Sequence, residues 1–111
     1  MKENYEAYDA EDTDIALQIF DIVRAIPKGK VSSYGTVGAR SKPPISGYIC
    51  GRIMGNVPPD VPWWRVVGKN GNLPISKRNP ELSIDQRATL IAEGVGFDDK
   101  GNVRMADFSD A

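Results

Sequence analysis

A mainly helical domain with small β elements, arranged as a winged helix-turn-helix, is the fold this sequence predicts. Residues 15–26 carry a broad apolar stripe at helical spacing. Two short segments follow, one opened by Ser32 or Ser33 and the other by Ser46, with the breaker Lys42-Pro43-Pro44 between them. Beyond these, two strand-like runs flank Lys69-Asn70-Gly71-Asn72, a hairpin signal that reads as a basic wing.

Residues 1–12 are acidic and lack periodicity, which predicts a flexible arm ahead of a single domain over 13–105. Thr13 or Asp14 can cap the first helix, whose stripe is Ile15, Leu17, Ile19, Phe20, Ile22, Val23 and Ile26. Pro27-Lys28-Gly29-Lys30 stops it. A second helix runs from Tyr34 to about Arg40, and a third from Ser46 to about Met54. The third should turn Ile49 and Ile53, with Cys50 beside them, toward the core. Strands are expected over 65–67 and 73–75. Ser83-Ile84-Asp85-Gln86 is a capping box that opens a last helix through Glu93, with Gly94 to end it. A final hairpin over 97–105 turns at Asp99-Lys100-Gly101-Asn102, and residues 106–111 are expected to fray.

At 111 residues the chain fits one domain that can bury a core without disulfides or metals. It contains no histidine and one cysteine, Cys50. Ser-His and Cys-His catalysis and imidazole or thiolate zinc sites are thereby excluded, and no cofactor is expected. No apolar stretch approaches the roughly 18 residues of a membrane span. A polar N-terminus without leader character predicts an intracellular protein, in the nucleus of a eukaryote or the cytoplasm and nucleoid of a prokaryote.

The net charge of −1 conceals a separation. Residues 1–14 hold six acids against Lys2, whereas residues 22–80 hold ten bases against one acid, Asp60. A cationic face of this kind suits a polyanion. Pro62-Trp63-Trp64-Arg65-Val66-Val67 adds both tryptophans side by side. Indole is a large flat apolar ring with one N–H donor, suited to gripping a planar group and unsuited to attacking one.

In this order the pieces resemble the DNA-binding domain of the O6-alkylguanine-DNA alkyltransferases, and more closely their non-catalytic relatives, the alkyltransferase-like proteins. The resemblance covers about residues 15 to 97. Ile26-Pro27-Lys28-Gly29-Lys30-Val31-Ser32-Ser33-Tyr34-Gly35 is similar to the family's IPxGKVxTYG. Pro62-Trp63-Trp64-Arg65-Val66-Val67 is similar to its Pro-Cys-His-Arg-Val run. Gly51, Met54 and Asn56 match the recognition helix and the asparagine after it, and Glu93-Gly94 matches the end of the last helix. Ile75-Ser76-Lys77-Arg78 looks like the loop that replaces the transferases' glycine-rich segment.

The resemblance implies roles for individual residues. Trp63 stands at the reactive cysteine position and Trp64 at the histidine position. The second is a departure even from the alkyltransferase-like branch, which usually keeps the histidine. Trp63 is then a wall of an extrahelical-base pocket, with plain core packing as the alternative and as the reading for Trp64. Tyr34, Arg78, Val67 and Ser76 are grouped with Trp63 in that pocket. Tyr34 would press on the target phosphate, and Arg78 would stack on the base or contact phosphate. Tyr48 falls where the family's intercalating arginine sits, and Arg52, one turn along, is the alternative wedge. Ser46, Gly47 and Asn56 would position the third helix on DNA, and Lys69, Lys77, Lys28 and Lys30 are phosphate-contact candidates. Glu93 has no thiol–imidazole pair to orient and is taken as structural, as is Cys50.

These implications give a monomeric, non-enzymatic sensor of O6-alkylguanine in duplex DNA. It would enter the minor groove with its third helix, flip the nucleotide, and flag it for nucleotide excision repair proteins. The alternative is a general winged-helix DNA-binding or regulatory module without lesion preference.

Overall fold

The computed structural model describes residues 10–77 and 79–109, with backbone alone at 10–13, 76 and 77. Helix α1 (Ala10–Arg24) begins ahead of the Thr13 or Asp14 cap expected from the sequence. Its Ile19 and Val23 are fully buried, while Leu17 faces outward. The chain turns at Gly29, whose φ of 88° suits glycine, into strand β1 (Ser32–Ser33). Ser33 then caps helix α2 (Tyr34–Ala39), its Oγ accepting from Thr36 N at 3.0 Å.

Helix α3 (Gly47–Met54) is capped by Ser46, whose Oγ accepts from Ile49 N at 3.2 Å. Between α2 and α3 the backbones nearly touch. A Cβ added at Gly38 would stand 2.6 Å from Ile45 O, and one at Gly47 would stand 3.1 Å from Gly35 N. Glycine at these positions lets two short helices pack backbone to backbone. Gln18 fastens α1 to the connecting turn by accepting from Lys42 N at 2.8 Å and donating to Lys42 O at 3.1 Å.

A 3-10 turn (Trp63–Arg65) leads into strand β2 (Val66–Val67), which pairs parallel with β1 in the register Ser32↔Val66, Ser33↔Val67. Successive strand residues point to opposite faces. Val66 therefore joins a first core with Ile19, Val23, Ile26, Val37, Cys50, Met54 and Val61. Val67 joins a second, with Val31, Leu73, Leu90, Val95 and Val103. Trp63 packs against the first core and Trp64 against the second. The fold is thus mostly helical with a small two-stranded sheet.

Several elements differ from the sequence expectation. The wing turn at 68–72 forms, with Gly68 N donating to Asn72 O at 2.8 Å. Its returning strand does not, because residues Pro74–Lys77 make a 3-10 turn and β2 is paired to β1 instead. Pro74 lacks the N–H a ladder requires. Helix α4 (Pro80–Ala92) starts a turn before the expected capping box, at Asn79, whose Oδ1 accepts from Leu82 N at 3.1 Å. Pro80 at its first position is pre-set for that start. Ser83 and Gln86 of the supposed box are instead buried within the helix, where Gln86 Nε2 donates to Trp64 O and Val66 O. Gly94, at φ 96°, ends α4 as expected.

The last hairpin is reduced to one antiparallel bridge, Phe97↔Val103, around a turn closed by Asp98 N donating to Asn102 O at 2.8 Å. Residues 106–109, read as the start of a frayed tail, are tied down. Val31 N donates to Asp107 O at 3.0 Å, and Ser109 N donates to Val31 O at 2.7 Å.

Candidate nucleic-acid interface

Helix α3 has a spent face and an available one. Cys50 and Met54 are buried, and Gly47 and Gly51 lie along α2, where Tyr34 Cδ1 would be 3.9 Å from a Cβ at Gly51. The outward side presents Tyr48, 74% exposed, and Arg52, one turn along. It also presents Ile49, 46% exposed, where the sequence had placed it in the core. The reason is rotational: Cys50 and Met54, four apart, take the inward stripe, and Ile49 falls at its edge. Ser46 is exposed at the helix start, with its oxygen engaged in the cap.

The C-terminal end of α3 runs into a cleft of about 550 Å³. Met54, Gly55, Asn56, Val57, Trp63, Ile75, Asn79 and Leu82 line it. Of the residues expected at the site, it brings Trp63 and Asn56 together. Val67 is not there, being fully buried in the second core, and Tyr34 lies beside α3 against the first core rather than in the lining. Ser76 and Lys77 belong to the 3-10 turn whose Ile75 lines the cleft; their side chains, and Arg78, lie outside the described residues. Lys69 is exposed on the turn at 68–72. Met54 and Ile75 fall in motifs the sequence singled out but were not assigned to the site, and Val57, Asn79 and Leu82 were not singled out at all. Their one signal was position, on either side of residues already singled out.

Behind the cleft, Glu93 is more engaged than the sequence suggested. Trp64 Nε1 donates to Glu93 Oε2 at 3.0 Å. Arg65 donates to both carboxylate oxygens, Nε to Oε1 at 3.0 Å and Nη2 to Oε2 at 2.8 Å, and its Nη1 donates to Ile26 O at 2.9 Å. The Arg65 and Glu93 side chains are 15% and 9% exposed, so this ion pair is largely withdrawn from water. The Arg65 guanidinium, with help from the Trp64 N–H, holds the carboxyl below its ordinary range against the opposing effect of burial. Glu93 therefore orients the Trp64 ring by accepting from its indole N–H. Trp64 in turn meets Trp63 edge to face, at 6.0 Å between centroids and 83° between planes.

The cationic segment is partly consumed internally. Arg65 is bound to Glu93, and Arg24 pairs with Asp21 at 2.8 Å and Asp60 at 2.9 Å. Lys30 Nζ lies 3.4 Å from Ala106 O, to which it donates. Lys28, Lys42, Arg52 and Lys69 are exposed. Cys50 is fully buried, and desolvation pushes its thiol up to about 12. Among the described residues no cluster of three or more His, Cys, Asp or Glu could hold a metal.

A family model described as 6-O-methylguanine DNA methyltransferase, DNA binding domain, matches residues 14–95. The DNA base-flipping protein of Vibrio parahaemolyticus serotype O3:K6 (strain AQ3810) is 32% identical over 91 residues, covering 80% of this chain and 88% of that protein. Alkyltransferase-like protein 1 of Schizosaccharomyces pombe is 38% identical over 81 residues, covering 70% and 73%. The crystal structure of S. pombe Atl1 in complex with damaged DNA containing O6-carboxymethylguanine superposes with a TM-score of 0.73 at 27% identity. That match covers 89% of this chain and 97% of the other. The chain belongs to the family of the 6-O-methylguanine DNA methyltransferase DNA-binding domain, and within it to the alkyltransferase-like proteins.

Proposed function

We propose that this protein recognises O6-alkylguanine in duplex DNA, turns the altered nucleotide out of the helix, and holds its base beside Trp63 without taking the alkyl group. The observation that carries the reading is the continuity of α3 with the cleft. The helix that presents Tyr48 and Arg52 outward ends in Met54, Gly55 and Asn56, which line the Trp63 cleft. A nucleotide displaced by a residue on that helix has a short path to a cleft that offers the Trp63 ring and aliphatic side chains beside the polar Asn56 and Asn79.

Minor-groove entry is supported by the character of the outward face. Tyr48 and Ile49 are aromatic and aliphatic, the types that wedge between base steps from the minor groove. Exposed Arg52, Lys42 and Lys69 supply phosphate neutralisation. Extrusion costs a few kcal/mol, least for a base that already pairs poorly, as an O6-alkylated guanine does. A wedge in the vacated space and the Trp63 ring against the extruded base offset the remainder.

Alkyl transfer needs a thiolate. Trp63 and Trp64 offer neither thiol nor imidazole, and Cys50 is buried in the first core, away from the cleft lining. The protein therefore acts by binding, as a monomer inside the cell. The persistent complex hands the lesion to nucleotide excision repair proteins. The test is binding to matched duplexes carrying guanine or O6-methylguanine at fixed salt, followed by protein mass measurement. Tighter binding to the lesion with unchanged mass is expected. Equal affinity would favour a general winged-helix DNA-binding module, and a one-methyl mass gain would make the protein an enzyme.

A further inference from the structure

The proposed function uses Ile49 only for the apolar character of the outward face of α3 and gives it no partner of its own in the groove. Ile49 is aliphatic and β-branched, and its neighbour Tyr48 is 74% exposed. No acidic residue occurs between Asp21 and Asp60, the stretch that contains all of α2 and α3. Ile49 is exposed on the outward side of α3, about 100° round the helix from Tyr48, so a groove that takes up this helix meets both side chains.

We infer that Ile49 sets a sequence preference, disfavouring base pairs that carry a purine 2-amino group next to the lesion. This rests on the minor-groove reading above. In that groove A·T pairs show only acceptors at adenine N3 and thymine O2, and G·C adds the guanine 2-amino donor. The Ile49 side chain has no acceptor. A 2-amino group pressed against it loses its water and gains no partner, whereas the floor of an A·T pair stays level and meets the methyl groups. Ile49 is thus a specificity-determining contact that reads by exclusion.

The experiment uses the full chain and duplexes with one O6-methylguanine, varying the pairs within two steps of it among A·T, G·C, inosine·C and 2,6-diaminopurine·T. Affinity should sort by the 2-amino group. A·T and inosine·C should bind about tenfold tighter than G·C and 2,6-diaminopurine·T, the size of one unfavourable base-pair contact. Ile49→Ser supplies a hydroxyl acceptor and should erase or reverse the difference, while Ile49→Val should retain most of it. Both substitutions are at a half-exposed site, and circular dichroism checks that the fold is kept. The 2-amino group also stabilises the flanking pairs, so a difference that survives unchanged in Ile49→Ser overturns the inference, as does no difference in the wild type. Repeating the series with guanine in place of the lesion tests Ile49 separately from lesion preference. Equal binding of lesion and guanine duplexes with identical flanks would sink the underlying reading alone.

Discussion

Trp64 donates its indole N–H to Glu93 Oε2 at 3.0 Å, on a carboxylate that Arg65 already grips with two donors. One acid thereby fixes both residues that follow Trp63 and ties the end of α4 to the turn beside the cleft. The donor that Glu93 receives from Trp64 is an indole N–H, which passes no proton at neutral pH.

Truncation of Glu93 should be costly. Glu93→Ala leaves Arg65 buried and unpaired and should destabilise the protein by about 3–5 kcal/mol. Glu93→Gln, which keeps an acceptor, should cost about 1–3 kcal/mol. Because the folded carboxyl titrates below its ordinary 4.5, its contribution is complete above that pH and is lost as pH falls through the depressed folded value. Denaturant midpoints of wild type and Glu93→Gln should therefore converge as pH drops below about 4.5. A constant gap down to acid unfolding would contradict the role given to the charge.

The glycines of α2 make opposite forecasts for two substitutions about one turn apart. Gly38→Ala drives a methyl into Ile45 O and should cost about 1–3 kcal/mol or more. A Cβ at Gly35 meets nothing closer than Ser33 Oγ at 4.0 Å, so Gly35→Ala should be neutral or stabilising by up to about 1 kcal/mol. Thermal or urea unfolding of the two variants decides it.

Tyr48 and Arg52 separate by salt dependence. Tyr48→Ala should abolish most lesion preference with little change in the slope of log K against log salt, and Tyr48→Phe should retain the preference. Arg52→Ala should lower that slope by about 0.9 and weaken lesion and guanine duplexes alike. Loss of lesion preference in Arg52→Ala with retention in Tyr48→Ala would make Arg52 the wedge.

Introducing transfer chemistry at the proposed site should need both a thiol at 63 and an imidazole at 64. Trp63→Cys alone should remain almost inactive toward O6-methylguanine DNA, lacking an imidazole. Trp63→Cys with Trp64→His should transfer slowly, because Glu93 already stands where a histidine at 64 needs an orienting acceptor. Protein mass after incubation reads both variants, and fast transfer by the single variant would mean the base matters little. In the native wild type, Cys50 should resist iodoacetamide until unfolding exposes it, since burial raises its thiol to about 12.

Local signals carried much of this fold. Ser33 and Ser46 cap the helices they announced, and Gly94 ends the last one, because these devices act within one turn of chain. Long-range partners were illegible. Nothing near Val66 indicates that its strand pairs with Ser32 and not with residues after the turn at 68–72. Asn79-Pro80 and Ser83–Gln86 are rival helix starts, and the burial of Ser83 and the bonding of Gln86 to Trp64 O and Val66 O go with the first. At the site, motif spacing located Trp63 and Asn56, but Leu82 and Ile75 arrive in the cleft from distant sequence. The engagement of Glu93 is illegible in the sequence because its donors, Trp64 and Arg65, lie nearly thirty residues away.

The central claim is that the cleft beside Trp63 holds the extruded base. Its most direct test is the ratio of affinities for O6-methylguanine and guanine duplexes, measured for wild type and Trp63→Ala at one salt concentration with folding verified. Trp63→Ala should bring the ratio close to one while keeping affinity for undamaged DNA. A ratio unchanged from wild type would contradict the claim.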